Sequence, residues 1–278
     1  MESVAAIRQA IGFARSNRPF RALAVLALPL CALTPAARAS DFSLYTGIWD
    51  YGVGGNIASQ GSSVSLDSDD GIKANPQVQA LLHYGGRGGW LPDLSAGYVH
   101  LGAAGQYLAN TSFQFAGIDI ISGKTTVQAG INLNDFDGSL DWRLLYQPRY
   151  QLEAGVEGKY LAGQATVIGN TAANVIILPI SIPTIQQRYF SIDKLVPLAH
   201  LRAQGSPWPW LRLELSGGYI VYEGQHVGEV RAVADVHVWK PVFITAGYQE
   251  QAYKVKESPY LIHARVDGPT IGITVATP

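Results

Sequence analysis

The feature that most constrains this chain is a two-residue alternation that runs from Asp41 almost to the end. Between Arg149 and Tyr160, the residues Tyr150, Leu152, Ala154, Val156, Gly158 and Tyr160 fall on one side. Gln151, Glu153, Gly155, Glu157 and Lys159 fall on the other. A helix of about 3.6 residues per turn would scatter both sets around its circumference, whereas a strand separates them. The pattern recurs. Leu211, Leu213, Leu215, Gly217, Tyr219 and Val221 oppose Arg212, Glu214, Ser216 and Gly218. Val230, Ala232, Ala234, Val236 and Val238 oppose Arg231, Asp235 and His237. Gly138, Leu140, Trp142, Leu144 and Tyr146 oppose Ser139, Asp141 and Arg143, and Ile271, Ile273 and Val275 oppose Gly272 and Thr274. One such strand is ordinary in a soluble sheet. A series of long ones with charges opposite the apolar face calls for an apolar medium outside and a polar space within.

Hydropathy agrees. Mean hydropathy is +0.10, yet no uninterrupted apolar stretch reaches the roughly 18 residues a membrane helix needs. A membrane crossing would therefore be made of strands closed into a barrel, which leaves no backbone group unpaired in lipid. The alternation predicts an all-β fold: a transmembrane up-and-down antiparallel β-barrel of about ten strands. They are expected near 42–53, 75–85, 92–104, 131–147, 149–163, 188–204, 210–222, 228–239, 242–255 and 266–276. Eight strands result if the first or last pair is not part of the wall. An even count places both ends of the barrel chain on one side.

The connections alternate in length. Those near 54–74, 105–130 and 164–187 are long and 256–265 is moderate, while 86–91, 147–149, 205–209 and 240–241 are short. Outer-membrane barrels pair long outside loops with short periplasmic turns. The tight hairpin at Gly224 is the exception. Aromatic residues gather at the short side: Trp90, Tyr146, Tyr150, Trp208, Trp210, Trp239 and Phe243. Amphipathic rings favour the headgroup layer, so they mark one interface. The apolar run Ile176-Ile177-Leu178-Pro179-Ile180 interrupts the third long connection. It suits the top of an extended hairpin, an inward plug or a membrane-touching loop.

The first 39 residues read as an export signal. Arg8, Arg15, Arg18 and Arg21 precede an apolar core from Ala22 to Leu33, and Ala37-Arg38-Ala39 offers an A-x-A cleavage site. Residues 40–278 are then the mature barrel. A lipoprotein signal at Cys31 is disfavoured because Leu30 stands where a small residue is wanted. Residues 1–40 hold five Arg and one Glu, so the mature part carries 15 basic and 20 acidic residues, a formal charge of −5. It also lacks Cys, which excludes disulfides and thiol chemistry. A negative balance without a basic cluster argues against nucleic acid.

Several of these stretches are similar to one family. Asp137-Gly138-Ser139-Leu140 into Leu144-Leu145-Tyr146, followed by Leu152-Glu153-Ala154-Gly155-Val156-Glu157-Gly158-Lys159-Tyr160-Leu161-Ala162-Gly163, resembles the fourth and fifth strands of a family of small proteobacterial outer-membrane β-barrel proteins. Gly85 to Tyr98, with Leu91-Pro92-Asp93-Leu94, resembles that family's proline-bearing periplasmic turn. Tyr219-Ile220-Val221-Tyr222-Glu223-Gly224 and Ala246-Gly247-Tyr248 also fit, and Asp267-Gly268-Pro269-Thr270-Ile271-Gly272 resembles the closing strand. The resemblance covers most of residues 40–278. It implies a barrel and an outer-membrane address, and brings no catalytic residues. Such barrels usually end in an aromatic residue read by the barrel assembly machinery, whereas this chain ends Val275-Ala276-Thr277-Pro278.

Few residues invite a chemical role. Asp235-Val236-His237 resembles the Asp-x-His pair of the omptin outer-membrane proteases, which also use a second acidic pair, for which Asp67 and Asp69 could be nominated. However, His237 lies four residues before the Pro241 turn, and about nine strand residues, roughly 30 Å, separate it from the outer rim. The pair is expected to be a hydrogen-bonded lumen pair. Asp67, Asp69 and Asp70 lack the full spacing of a calcium loop and read as a solvated acidic loop. His83, His100, His200, His226 and His263 show no metal spacing on a shared strand face, and Gly85-Gly86-Arg87-Gly88-Gly89 is a turn rather than a phosphate cradle. No catalytic, cofactor or metal residue is assigned.

The inward groups do suggest a state of the lumen. Asp141, Glu153, Glu157, Glu214 and Asp235 match Arg143, Lys159, Arg202, Arg212 and Arg231, five acids against five bases. Such groups should pair and close the bore. The expectation is a monomeric outer-membrane barrel, structural or weakly pore-forming, with a plugged polar lumen. It would meet outer-membrane lipid, lipopolysaccharide and the assembly machinery. An enzyme acting on lipid or peptide and a loop-based receptor or adhesin are the alternatives.

Overall fold

The computed structural model describes residues 42–59, 62–66, 72–74, 76–85, 91–109, 112–116, 118–121, 125–147, 149–174, 181–222, 225–257 and 260–277. The expected signal segment 1–39, Trp90, the acidic loop Asp67 to Asp70 and Ile176 to Ile180 lie outside them.

Among the described residues, twelve of fifteen β segments build ten wall strands. The first two are β1 (Phe42–Trp49) and β2 (Gly52–Ser59), two lengths of one strand, since both pair with β15 (Tyr260–Ala276). After the short β3 (Ser62–Ser65), the pieces β4 (Ile72–Ala74) and β5 (Gln77–Tyr84) both pair with β6 (Asp93–Leu108) and form the second wall strand. The hairpin β7 (Phe113–Phe115) and β8 (Ile118–Ile120) stands apart from the wall. The remainder are β9 (Thr125–Gln147), β10 (Tyr150–Asn174), β11 (Ser181–Trp208), β12 (Leu211–Tyr222), β13 (Gln225–Trp239) and β14 (Val242–Glu257). Every wall neighbour is antiparallel, and the ladder from Ser43↔Ala276 to Trp49↔Thr270 joins first strand to last. The result is a closed ten-stranded barrel with no free edge.

The inside–outside register is the one the alternation predicts. Val156, Leu213, Leu215 and Val236 are exposed outside, while Glu153, Glu157, Glu214 and Asp235 are buried within. Tyr146, Tyr150, Trp208, Trp210 and Trp239 lie exposed at the short-turn end, with Trp208 and Trp210 stacked. Phe243 does not join them. It faces the lumen, against His237 and below the Arg212 guanidinium.

The strands are longer than expected at the other end. The expected loop 164–187 is wall: β10 and β11 pair without a break from Tyr150↔Gly205 to Asn174↔Ser181. The run Ile176 to Ile180, for which three readings were open, lies outside the described residues. Likewise the expected loop 256–265 is a tight hairpin pairing Glu257 with Tyr260.

The reason lies in an inversion of polarity. Outward residues of β9 run Leu144, Trp142, Leu140, Gly138, Phe136 and then Asn134, Asn132, Gly130, Gln128. Its inward residues run Asp141, Ser139, Asp137, Asp135 and then Leu133, Ile131, Ala129, Val127. Below this step the barrel is apolar outside and polar inside. Above it, the barrel is built like a soluble protein, with a buried cluster that includes Trp49, Ile57, Leu101, Leu161 and Ile262.

Tyrosines mark the step. Across three strands Tyr98 packs tilted against Phe136, and Phe136 stacks on Tyr160. Tyr98 donates to Asn134 Oδ1 at 3.0 Å, Tyr160 bonds Asp193 and Tyr248 donates to Asp267. Each ring sits on the apolar band with its hydroxyl turned to the polar wall above, which is how aromatic residues sit at an interface. From Phe136 to Tyr146 is ten residue steps, about 33 Å along a strand. A tilt of about 40° reduces this to a height of about 25 Å, the apolar band of an outer-membrane barrel.

Candidate functional site in the barrel lumen

The lumen below the step holds the chemistry, and the strand ladders dictate its layout. At the short-turn end, Arg143 Nε donates to Asp93 Oδ2 at 2.8 Å and lies 3.9 Å from Glu153. Arg202 reaches across: its Nη2 donates to Glu214 Oε2 at 2.5 Å, and its Nη1 lies 2.7 Å from His83 Nδ1 and 3.7 Å from Glu153. Arg231 Nη1 donates to the other oxygen of Glu214 at 3.0 Å. Beside it on the same two strands, Arg212 Nη2 lies 2.6 Å from Asp235, which also accepts from Thr245 Oγ1 at 2.5 Å.

One layer up, the buried Lys159 ammonium bonds Asp135 at 2.9 Å and Glu229 at 2.8 Å. Tyr253 also donates to Asp135 at 3.0 Å. His200 Nδ1 lies 2.7 Å from Asp141 Oδ1, and Ser139 donates to the other oxygen of Asp141 at 2.5 Å. Gly155 stands between Asp141 and His200 in the ladder. A Cβ there would lie 1.9 Å from the Leu140 carbonyl oxygen and 2.6 Å from Asp141 Oδ1. Any larger residue would break the cross-strand contact.

Above these charges the bore is sealed by apolar packing. β7 and β8 fold into the barrel: Phe115, Ile118 and Ile120 are fully buried, and Phe115 meets Phe190 edge-on. Ile118 packs where Gly169 leaves room, since a Cβ there would lie 2.5 Å from its Cγ2. Arg188 Nε ties the hairpin to the wall by donating to the Ala116 carbonyl at 2.8 Å. The plug thus comes from the expected loop 105–130.

Several sequence expectations change. Asp235 and His237 do face the lumen at the short-turn end, but Asp235 bonds Arg212 and Thr245 while His237 packs on Phe243. They are not a mutual pair, because Asp235 lies directly opposite Thr245 and beside the longer-reaching Arg212. The charge count also changes. The structure adds Asp93, Asp135, Asp137 and Glu229 to the inward acids, so nine carboxylates of the polar layer face five cations, with Lys194 in the layer above. Asp93 opens the strand expected at 92–104, and Asp135, Asp137 and Glu229 extend alternations already legible in their strands.

His83, Asp93 and Glu153 bring one nitrogen and two carboxylate oxygens within 4.8 Å of one another, the geometry of a possible metal centre. Their charge is already matched. Asp93, Glu153 and Glu214 face the guanidinium groups of Arg143, Arg202 and Arg231, and Arg202 Nη1 lies against the imidazole. A divalent ion would add charge that nothing balances.

No protein-family model matches the sequence, and no curated protein matches it. Solved structures do resemble the fold. The outer membrane protease OmpT from Escherichia coli superposes with a TM-score of 0.54 at 10% identity, over 87% of this chain and 99% of that one. The transport unit of the autotransporter AIDA-I from Escherichia coli gives 0.37 at 13% identity over 91% and 97%, and Ail of Yersinia pestis 0.35 at 7% over 86% and 100%. At these identities the likeness speaks of fold alone: the chain is a closed antiparallel barrel of the kind found in outer-membrane proteins.

Proposed function

We propose that this protein is an integral outer-membrane barrel of a Gram-negative bacterium that serves as a closed, non-conducting anchor. It belongs, on this reading, with the small proteobacterial barrels its sequence resembles, and works as a monomer in contact with outer-membrane lipid and lipopolysaccharide after insertion by the assembly machinery. One observation carries the proposal: the bore is filled twice, by ion pairs below the tyrosine step and by apolar side chains above it. A selective pore would more often present a ring of one charge sign around an open path. The protein is not an enzyme on this reading: His83 lies 3.0 Å from Ser95 Oγ but also 2.7 Å from Arg202 Nη1, within the ion-paired layer. Purified protein in planar bilayers should show little or no steady conductance. Stable, ion-selective channels from the wild-type chain would reject the proposal.

A receptor reading has one observation in its favour. From Tyr160 to Asn174, β10 rises fourteen residues above the step, about 45 Å along the strand. With β11 it forms a tall outer wall that exposes Ile185 and Tyr189.

A further inference from the structure

Above the tyrosine step, the outer face carries a row of bases with no acid to match it. His226 of β13 stands opposite Lys254 of β14, and Lys254 stands opposite His263 of β15. All three point outward, because Val227, Tyr253, Val255, Ile262 and Ala264, which alternate with them, are buried in the upper core. Directly opposed side chains on one sheet face have Cβ atoms about 4.5–5.5 Å apart, and like charges so placed repel.

The neighbours give no relief. Val221 and Asn56 stand at the two ends of the row. The next row down on the same face reads Gly228, Ala252, Arg265 and Gly54, and the next row up includes Lys256, Leu261 and Ala58. The nearest described carboxylates on this face, Glu250 and Asp267, lie one row below Arg265. Both are engaged with its guanidinium, at 3.0 and 3.6 Å. Among the described residues, His226, Lys254, Lys256 and His263 therefore have no acidic partner. His263 Nε2 is buried without a hydrogen-bond partner. Burial, with the charges of Lys254 and His226, holds its imidazole below the usual histidine range.

The height of the row selects its ligand. From Tyr248 at the step to Lys254 is six residues, about 20 Å along the strand and about 15 Å in height at a tilt of about 40°. The headgroup layer outside the hydrocarbon is only about 5–8 Å thick on each side. The row thus stands beyond phospholipid phosphates, at the level of the sugars of an outer-leaflet glycolipid.

We propose that this row binds phosphate groups on the sugar core of lipopolysaccharide. The Lys254 ammonium pairs with a phosphate, and His226, His263 and Lys256 donate to its oxygens. A phosphate accepts several charge-assisted hydrogen bonds at once, and its charge removes the repulsion within the row. The inference rests on the outer-membrane reading above and places the glycolipid against one side of the barrel, β13 to β15.

The test refolds the full chain into detergent free of lipopolysaccharide. It is then titrated with lipopolysaccharide carrying a phosphorylated core, with the same material after chemical removal of those phosphates, with phosphatidylglycerol and with inorganic phosphate. Bound molecules are counted by native mass spectrometry, and barrel closure is checked by the gel shift on heating. The wild type should bind the phosphorylated form at least about tenfold more tightly than the other three probes. The Lys254→Gln, His263→Gln double variant should lose that preference and keep the heat shift. Lys256→Gln alone, at an exposed position, should weaken binding of the phosphorylated form several-fold, so the test survives if the double variant does not fold. Equal affinity for the phosphorylated and dephosphorylated forms, or unchanged binding by the double variant, would overturn the inference. Phosphatidylglycerol or inorganic phosphate bound as tightly would reject lipopolysaccharide as the source. Any of these results with the heat shift intact leaves the closed anchor standing, whereas a soluble chain without a heat shift would overturn both.

Discussion

The polarity step on β9 makes a quantitative prediction about arginine scanning along one face of one strand. Leu140 and Asn132 both point outward, four residues below and four above Phe136. Four residues are about 13 Å along the strand, or about 10 Å in height at a tilt of about 40°. Leu140 therefore lies near the middle of a band about 25 Å tall, and Asn132 lies about 10 Å beyond it. Arginine at the bilayer midplane costs about 2–4 kcal/mol in such barrels. At an exposed position outside lipid it should cost no more than about 0.5 kcal/mol. Leu140→Arg should thus destabilise by at least about 1.5 kcal/mol more than Asn132→Arg, over tenfold in the folding equilibrium. The assay is reversible guanidinium unfolding in phospholipid vesicles, followed by tryptophan emission and by gel mobility. Equal costs at the two sites, or a larger cost at Asn132, would show that the apolar band is not the lipid-facing surface.

Three further outcomes follow from particular contacts. Arg212→Ala leaves the buried Asp235 carboxylate with Thr245 but no cation, and should cost about 3 kcal/mol in the same titration; a loss below about 1 kcal/mol would mean that water already screens the pair. Gly169→Val places side-chain atoms where Ile118 now packs, and should unseat the β7–β8 hairpin, so that added protease cuts within 109–125 while the membrane band stays folded; an uncut, wild-type pattern would show that the hairpin does not depend on that gap. Finally, the mature protein should begin near Ser40, fractionate with the outer membrane and migrate differently before and after heating, whereas recovery as a soluble periplasmic protein without a heat shift would contradict the outer-membrane assignment.

The lower half of the barrel is legible in the sequence because lipid and water impose opposite demands on alternate residues. Leu213 and Glu214 can be assigned to opposite faces without a structure, since no other arrangement places one in lipid and the other in a polar lumen. The strand count follows from the number of such runs. The upper half is less legible because its contrast is weaker and reversed. Along β10, outward Gln164 and Thr166 alternate with inward Ala165 and Val167, and small residues dilute the pattern further. A reading tuned to apolar-out ends the strand near Gly163. The true signal was an alternation that continues in phase while its polarity changes sign.

The lumen shows the same limit at the scale of single residues. Arg143, Arg202 and Arg212 can be called inward from alternation alone, but their partners depend on which strands adjoin and by what register. Arg202 contacts His83 and Glu153 from two different strands as well as Glu214, its near neighbour on β12. Asp141 reaches His200 only because Gly155 intervenes. Pairwise spacing in the sequence carries none of this, since the three strands meet through barrel closure and cross-strand register. The charge balance was misjudged for a related reason. Asp135 and Asp137 continue the face of Ser139 and Asp141, but they lie beside Asn132 and Asn134, where both faces are polar and the alternation loses its contrast. In the barrel that stretch is the layer where the polar lumen meets the apolar plug, and its acidic surplus is what distinguishes this bore from a simply ion-paired one.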